Sequence, residues 1–185
     1  RSAKDGSYSK QEFIDLQRMG LEYGVRIIPE IDIPAHSLAF AHYKPEIASR
    51  KYGMDHLDLY KKETYQFVDS LLDEYLSGDN PVFIGDLHIG TDEYNKKEAE
   101  QYRYFTDRYL KFVEKYGKNV RMWGGLKWLP GKTPVKAEGV TVNAWSYDWV
   151  DPVVSLQDGY KLINTCDTYL YIVPAAGYYR DFLDH

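Results

Sequence analysis

The chain has 185 residues, 44% hydrophobic and 16% aromatic, with 23 basic against 28 acidic side chains and a formal net charge of −5. That is enough apolar material for one domain of roughly 100 to 200 residues, and without a Lys/Arg cluster nucleic acid is not an expected partner. Cys166 is the single cysteine, which excludes an intrachain disulfide and any Cys-x-x-Cys metal or redox motif.

The opening RSAKDGSYSK lacks the apolar centre of a signal peptide, and a start at Arg1 rather than Met points to a processed chain or an excised piece. Ser9 and Glu12 have capping-box spacing, and Phe13, Leu16, Gly20 and Tyr23 recur at helical intervals before Gly24, a C-terminal stop. Val25 to Ile31, short and rich in β-branched residues, reads as a buried strand that ends in Asp32-Ile33-Pro34-Ala35-His36.

A second helix runs through Phe67, Val68, Leu71, Leu72 and Tyr75, and stops at Ser77-Gly78-Asp79-Asn80-Pro81. Val82-Phe83-Ile84 is the next expected strand. A third helix spans about Lys97 to Tyr116, and three more strands follow at Val120–Trp123, Val140–Trp145 and Lys161–Asn164. The tyrosines Tyr102, Tyr104, Tyr109 and Tyr116 of the third helix are expected to pack against the sheet or a neighbouring helix.

No apolar run approaches the roughly 20 residues of a membrane span. Strands alternating with helices predict an α/β fold of parallel βαβ units, either an open sheet or a barrel. A complete (β/α)₈ barrel typically needs about 250 residues, so a barrel would be incomplete in this chain. Residues 1–185 are expected to form a single domain, or a fragment of one.

Polar and aromatic residues gather where the strands are expected to end: Asp32 and His36, Asp86 to Glu93, Trp123, Trp145, then Tyr169 and Tyr171. In parallel α/β folds the site forms at the C-terminal ends of strands. Within His88-Ile89-Gly90-Thr91-Asp92-Glu93, the adjacent acids can share a cavity only if the chain leaves β geometry, and Gly90 offers that bend. Two carboxyls in one cavity repel, and the less solvated one keeps its proton, giving a general acid beside an ionised partner. Such a pair suits glycosidic cleavage, where the leaving oxygen is protonated while positive charge develops on the sugar. Neighbouring side chains cannot easily flank a sugar ring, so the nucleophile must come from elsewhere. A 2-acetamido group on the substrate can supply it.

The segment from His88 to Glu93 resembles the His-x-Gly-Gly/Ala-Asp-Glu signature of glycoside hydrolase family 20, the β-N-acetylhexosaminidases and lacto-N-biosidases, which use such a substrate-assisted route. Ile28-Pro29-Glu30-Ile31-Asp32-Ile33-Pro34-Ala35-His36 resembles the strand-three motif of that family. Tyr8-Ser9 with Glu12 resembles the segment before it. The resemblance covers nearly the whole chain and implies a (β/α)₈ TIM-type barrel represented by about strands three to seven. It implies Asp92 and Glu93 as catalytic residues and Trp123, Trp145 and Tyr169 as the acetamido pocket. Asp32 and His36 would support Glu93, while Asp86 and His88 would brace the strand end or touch the sugar. It implies no cofactor and no metal, a glycan partner ending in N-acetylhexosamine, and a secreted or cell-surface bacterial setting.

Five positions depart from the pattern. Thr91 and Ala35 replace smaller residues, Trp123-Gly124-Gly125 replaces Trp-Asp-Glu, and Tyr169-Leu170-Tyr171 replaces Tyr-Leu-Asp. The last change bears on which glycan is accepted. The sugar-gripping arginine of strand one and a tryptophan of strand eight have no match. A single Asp-Glu pair is more often a solvated turn, lone aromatics at strand ends are more often core, and His36 and His88 have a core reading and a less favoured one as metal ligands with Asp32 and Asp86. Both motifs at successive strand ends favour catalysis, and no His-Glu-x-x-His spacing appears. The expected activity is removal of terminal β-linked GlcNAc or GalNAc. The alternatives are release of a disaccharide by a lacto-N-biosidase, internal cleavage of chitin-like polymers, and glycan binding without turnover.

Overall fold

The computed structural model describes residues 6–182. In chain order its elements are α1 (Lys10–Glu22), β1 (Glu30–Ile33), α2 (Leu38–Tyr43), β2 (Ala48–Ser49), β3 (Gly53–Leu57), α3 (Lys62–Leu76) and β4 (Leu87–Gly90). There follow α4 (Ala99–Glu114), β5 (Val120–Trp123), β6 (Val140–Ala144), α5 (Pro152–Gln157), β7 (Lys161–Asn164) and α6 (Asp167–Leu170). The capping box is present: the Glu12 amide donates to Ser9 Oγ at 3.2 Å and the Ser9 amide donates to Glu12 Oε2 at 2.7 Å.

Five strands form one sheet in the order β1-β4-β5-β6-β7, every neighbouring pair parallel. In β5 and β6 buried Val120, Met122, Val140, Val142 and Ala144 alternate with half-buried Arg121, Trp123, Thr141 and Asn143. The period of two turns the apolar set toward the helices and the polar set toward the other face, where the site lies. Against the apolar face, α4 buries Tyr102, Phe105, Tyr109, Leu110 and Val113. Fully buried Phe105 and Leu110 each stabilise the fold by about 1.5–3 kcal/mol. Tyr102 and Tyr109 are core, as their spacing predicts, whereas Tyr104 is exposed at the rim of Tyr65.

Two expected strands are displaced toward the C-terminus. Val82 to Ile84 is not in the sheet because the side chain of Gln17 takes its backbone bonds: Nε2 donates to the Val82 carbonyl at 2.7 Å and Oε1 accepts the Ile84 amide at 3.2 Å. The strand proper begins at Leu87. Likewise the ladder of β1 begins at Glu30, beyond Pro29, which has no N–H to donate. The antiparallel β2–β3 pair over Ala48–Leu57 escaped the sequence reading because its two-residue first strand has no alternating pattern to detect.

Candidate active site

The displacement of β4 decides where its polar residues fall. Asp86 enters the strand rather than leaving it, and takes hydrogen bonds from Asn119 Nδ2 at 3.0 Å and Arg121 Nη2 at 3.4 Å. It lies at the N-terminal end of the sheet, where polar pairs serve stability. Its expected role beside the site is therefore corrected.

At the other end, Gly90, Thr91 and Glu93 have φ of +67°, +77° and +49°, and His36 has φ +54°. Left-handed geometry at three non-glycine residues stores strain of the kind that clusters at functional sites. Gly90 is required twice over, by its φ and by close approach, since a Cβ there would lie 2.6 Å from Asp32 Oδ1 and 2.8 Å from Asp32 Cα. This break in the strand turns Asp92 and Glu93 to the same side.

Both acids line a cavity of about 330 Å³ with Glu30, Asp32, His36, Trp123 and Trp145, and Tyr171 and Tyr179 close one wall. His36 Nε2 stands 3.0 Å from Glu93 Oε2 and 3.4 Å from Asp92 Oδ2. Three carboxyls, those of Asp32, Asp92 and Glu93, thus act on one imidazole. The hydrogen-bonding partner Asp92, with the charges of Glu93 and Asp32, holds His36 up to about 9. Burial first, then a hydrogen bond and charge from Glu30 and the charge of Asp92, push Asp32 up to about 8. Near neutral pH the imidazole is a cation and Asp32 carries a proton. Of the two adjacent acids Asp92 is the more covered, with 18% of its side chain exposed against 47% for Glu93, so solvation does not single out Glu93 as the proton donor.

The atoms of His36, Asp92 and Glu93 lie within 4.8 Å of one another, a spacing compatible with a cation. The protonated imidazole has no lone pair to offer a metal.

Trp145 is nearly buried and its indole N–H donates to the Gly124 carbonyl at 3.0 Å. Trp123 donates to Glu30 Oε1 at 2.5 Å. Glu30 is a site residue that the motif reading quoted without a role. His88 does not line the cavity: its ring lies 4.8 Å behind Trp123, and its Nδ1 accepts the Gly90 amide at 3.1 Å. That bond places the ring proton on Nε2, and burial lowers the basicity of the ring, so His88 is a neutral backing for Trp123. Tyr169 is 58% exposed on α6, against Tyr147, and Tyr171 faces the cavity in its place.

The loop carrying the acids is tied from behind. The Tyr102 hydroxyl, fully buried, donates to the Thr91 carbonyl at 2.5 Å, and Thr91 Oγ1 donates to the Trp123 carbonyl at 3.2 Å. Thr91 therefore has its own use for a hydroxyl where the signature has a smaller residue. The departure at Gly124-Gly125 is steric: a Cβ on Gly124 would collide with Val150 Cγ2, and one on Gly125 would meet the Tyr102 hydroxyl at 2.9 Å. No arginine is among the described residues that line the cavity.

Residues 1–102 match the model of the glycosyl hydrolase family 20 catalytic domain. A beta-hexosaminidase of Arthroderma benhamiae is 29% identical over 189 residues, covering 84% of this chain and 31% of its own length. The lacto-N-biosidase of Bifidobacterium bifidum is 25% identical over 200 residues, covering 94% of this chain and 17% of its own. A mutant Streptomyces plicatus beta-hexosaminidase in complex with its product GlcNAc superposes with a TM-score of 0.73 at 26% identity, over 90% of this chain and 35% of that one. The chain thus spans about a third or less of the length of these relatives. Its parallel sheet and helices match the barrel of these enzymes. With more than half of its residues inside the family model, the chain belongs to glycoside hydrolase family 20.

Proposed function

We propose that this chain carries the catalytic site of a retaining exo-glycosidase that removes a terminal β-linked N-acetylhexosamine. The observation that carries the reading is the convergence of Asp92 and Glu93, both within reach of His36 Nε2, on a cavity walled by Trp123 and Trp145. The acids leave the backbone side by side, so they serve one face of the sugar and leave the attack to the substrate.

In this reading the acetamido oxygen closes on the anomeric carbon as the glycosidic C–O bond breaks, and Glu93 gives its proton to the departing oxygen. Asp92 accepts the amide N–H and offsets the charge of the oxazolinium. Glu93, now a carboxylate, takes a proton from the water that opens the ring, so the configuration is retained. Trp123 and Trp145 enclose the acetamido group, and Tyr171 stands where Tyr169 was expected. His36 and protonated Asp32 hold the acids in place; Glu30 orients Trp123.

The similarity to a lacto-N-biosidase and the replacement of a sugar-binding carboxyl by Tyr171 favour a second reading, release of a disaccharide. Comparing aryl β-GlcNAc with an aryl disaccharide separates the two.

Glu93→Gln tests the main reading: kcat/KM on aryl β-N-acetylglucosaminide falls by about 10²–10⁴, and a thiazoline mimic of the intermediate inhibits the wild type competitively. Hydrolysis left intact by Glu93→Gln contradicts it.

A further inference from the structure

Glu93 also lines a second groove, of about 490 Å³, formed by His56, Tyr94, Asn95, Lys96, Lys97 and Trp128. It is the residue the groove shares with the catalytic cavity. Under the proposed reaction, on which this inference rests, the acid stands between the sugar released and the group that leaves. A space on the far side of Glu93 therefore receives the aglycone.

A run of aromatic rings links the two spaces. Trp145 of the cavity packs on Trp149 with ring centroids 5.6 Å apart, and Trp149 packs on Trp128 at 5.1 Å. Trp128 is 39% exposed, and the Lys96 ammonium stands 4.6 Å from its ring centre. Rings of this kind receive the apolar face of a sugar.

The charge of the groove opposes that of the chain. Lys96 and Lys97 are both exposed and neither has a carboxylate partner among the described residues. The acids nearby are engaged elsewhere: Asp55 with His56 at 3.0 Å, Asp92 and Glu93 with His36, and Glu98, turned inward, with Lys51 at 2.8 Å. In a chain of net charge −5, two adjacent ammonium groups without a carboxylate partner, one of them over the Trp128 ring, form a local site for an anion.

We infer that the groove beyond Glu93 binds a leaving sugar that carries an anionic group, with Trp128 against the ring and Lys96 and Lys97 against the charge.

The test compares three disaccharides that differ at one carbon: GlcNAc β-linked to glucose, to glucuronate and to glucose 6-sulfate. The expected kcat/KM favours an anionic aglycone over glucose by about fivefold, the size of one or two partly exposed ion pairs. A preference for one anion alone names the source as carboxylate or sulfate. The preference shrinks as salt is raised from low to physiological ionic strength, and approaches unity in Lys96→Gln/Lys97→Gln, whose fold is checked by its Tm. Calorimetric binding of the same three to the Glu93→Gln chain reads the groove without turnover. Equal values for the three wild-type substrates, or a preference that survives the double substitution, overturn the inference. Failure to hydrolyse an uncharged aryl β-GlcNAc counts instead against the proposed reaction, while binding to the Glu93→Gln chain still decides the groove.

Discussion

Two clusters built around glutamates five positions apart have opposite electrostatic characters. Glu98 is 8% exposed and fully answered: Lys51 Nζ at 2.8 Å, the Tyr52 hydroxyl at 2.5 Å and the Tyr60 hydroxyl at 2.6 Å all donate to it. Those donors, Lys51 first, hold its carboxyl down at about 2. Around Glu93 the acids outnumber the donors, Asp32 is pushed up to about 8, and the loop is bent into left-handed geometry. A cluster optimised for stability satisfies its charges; one kept for chemistry holds like charges together and relies on the surrounding fold to restrain them.

Gly90→Ala is expected to produce the largest structural effect on this contrast. The added methyl meets Asp32 at under 3 Å at a φ of +67°, in a strand with no slack. Loss of about 2–3 kcal/mol of stability together with nearly all activity is expected, measured by denaturant unfolding and aryl substrate hydrolysis. Stability at the wild-type level would show that the close approach of β1 and β4 is not needed.

Glu98→Gln removes the acceptor of the satisfied cluster and is expected to cost about 1–2 kcal/mol. Because its carboxyl lies below its ordinary value in the fold, its contribution is present above pH 4.5 and lost as pH falls toward 2. The variant should therefore show a shallower fall of Tm on acidification.

The smallest effect belongs to His36→Gln and appears at the opposite end. The imidazole keeps its proton to about 9 in the fold and loses it near 6.5 when unfolded, so its contribution is present below pH 6.5 and disappears as pH rises through 9. The fall of Tm between those values should flatten in the variant. An unchanged alkaline slope would mean that His36 does not hold the two acids together.

The three long helices were legible because their signals are local, whereas α2, α5 and α6, of six residues or fewer, are too short to show a helical period. Ser9 with Glu12, and the apolar spacing from Phe67 to Tyr75, each specify a helix without reference to the rest of the chain. The parallel order of strands followed from their alternation with helices. Strand limits were not legible, since Val82 to Ile84 has strand composition and loses its place in the sheet only through Gln17, 65 residues away from Val82. That shift moved Asp86 to the wrong end of the sheet in the sequence reading. Asp92, Glu93, Asp32 and His36 were found because their motifs sit at the ends of strands. The placements of His88 and Tyr169 were missed for a different reason: a strand end fixes position along the chain but not which way a ring turns. Glu30 could have been found by the period of two that places it beside Asp32 on the same face of β1. Tyr102 carried no such sign, because its bond to Thr91 depends on how α4 packs.

The most direct measurement of the central claim alters the proposed nucleophile in the substrate and leaves the protein untouched. Replacing the N-acetyl group of an aryl β-glucosaminide by mono-, di- and trifluoroacetyl weakens the carbonyl oxygen stepwise while changing its size little. If the amide held between Asp92 and the two indoles performs the attack, kcat/KM falls steeply along that series. A rate indifferent to the fluorines would contradict the account.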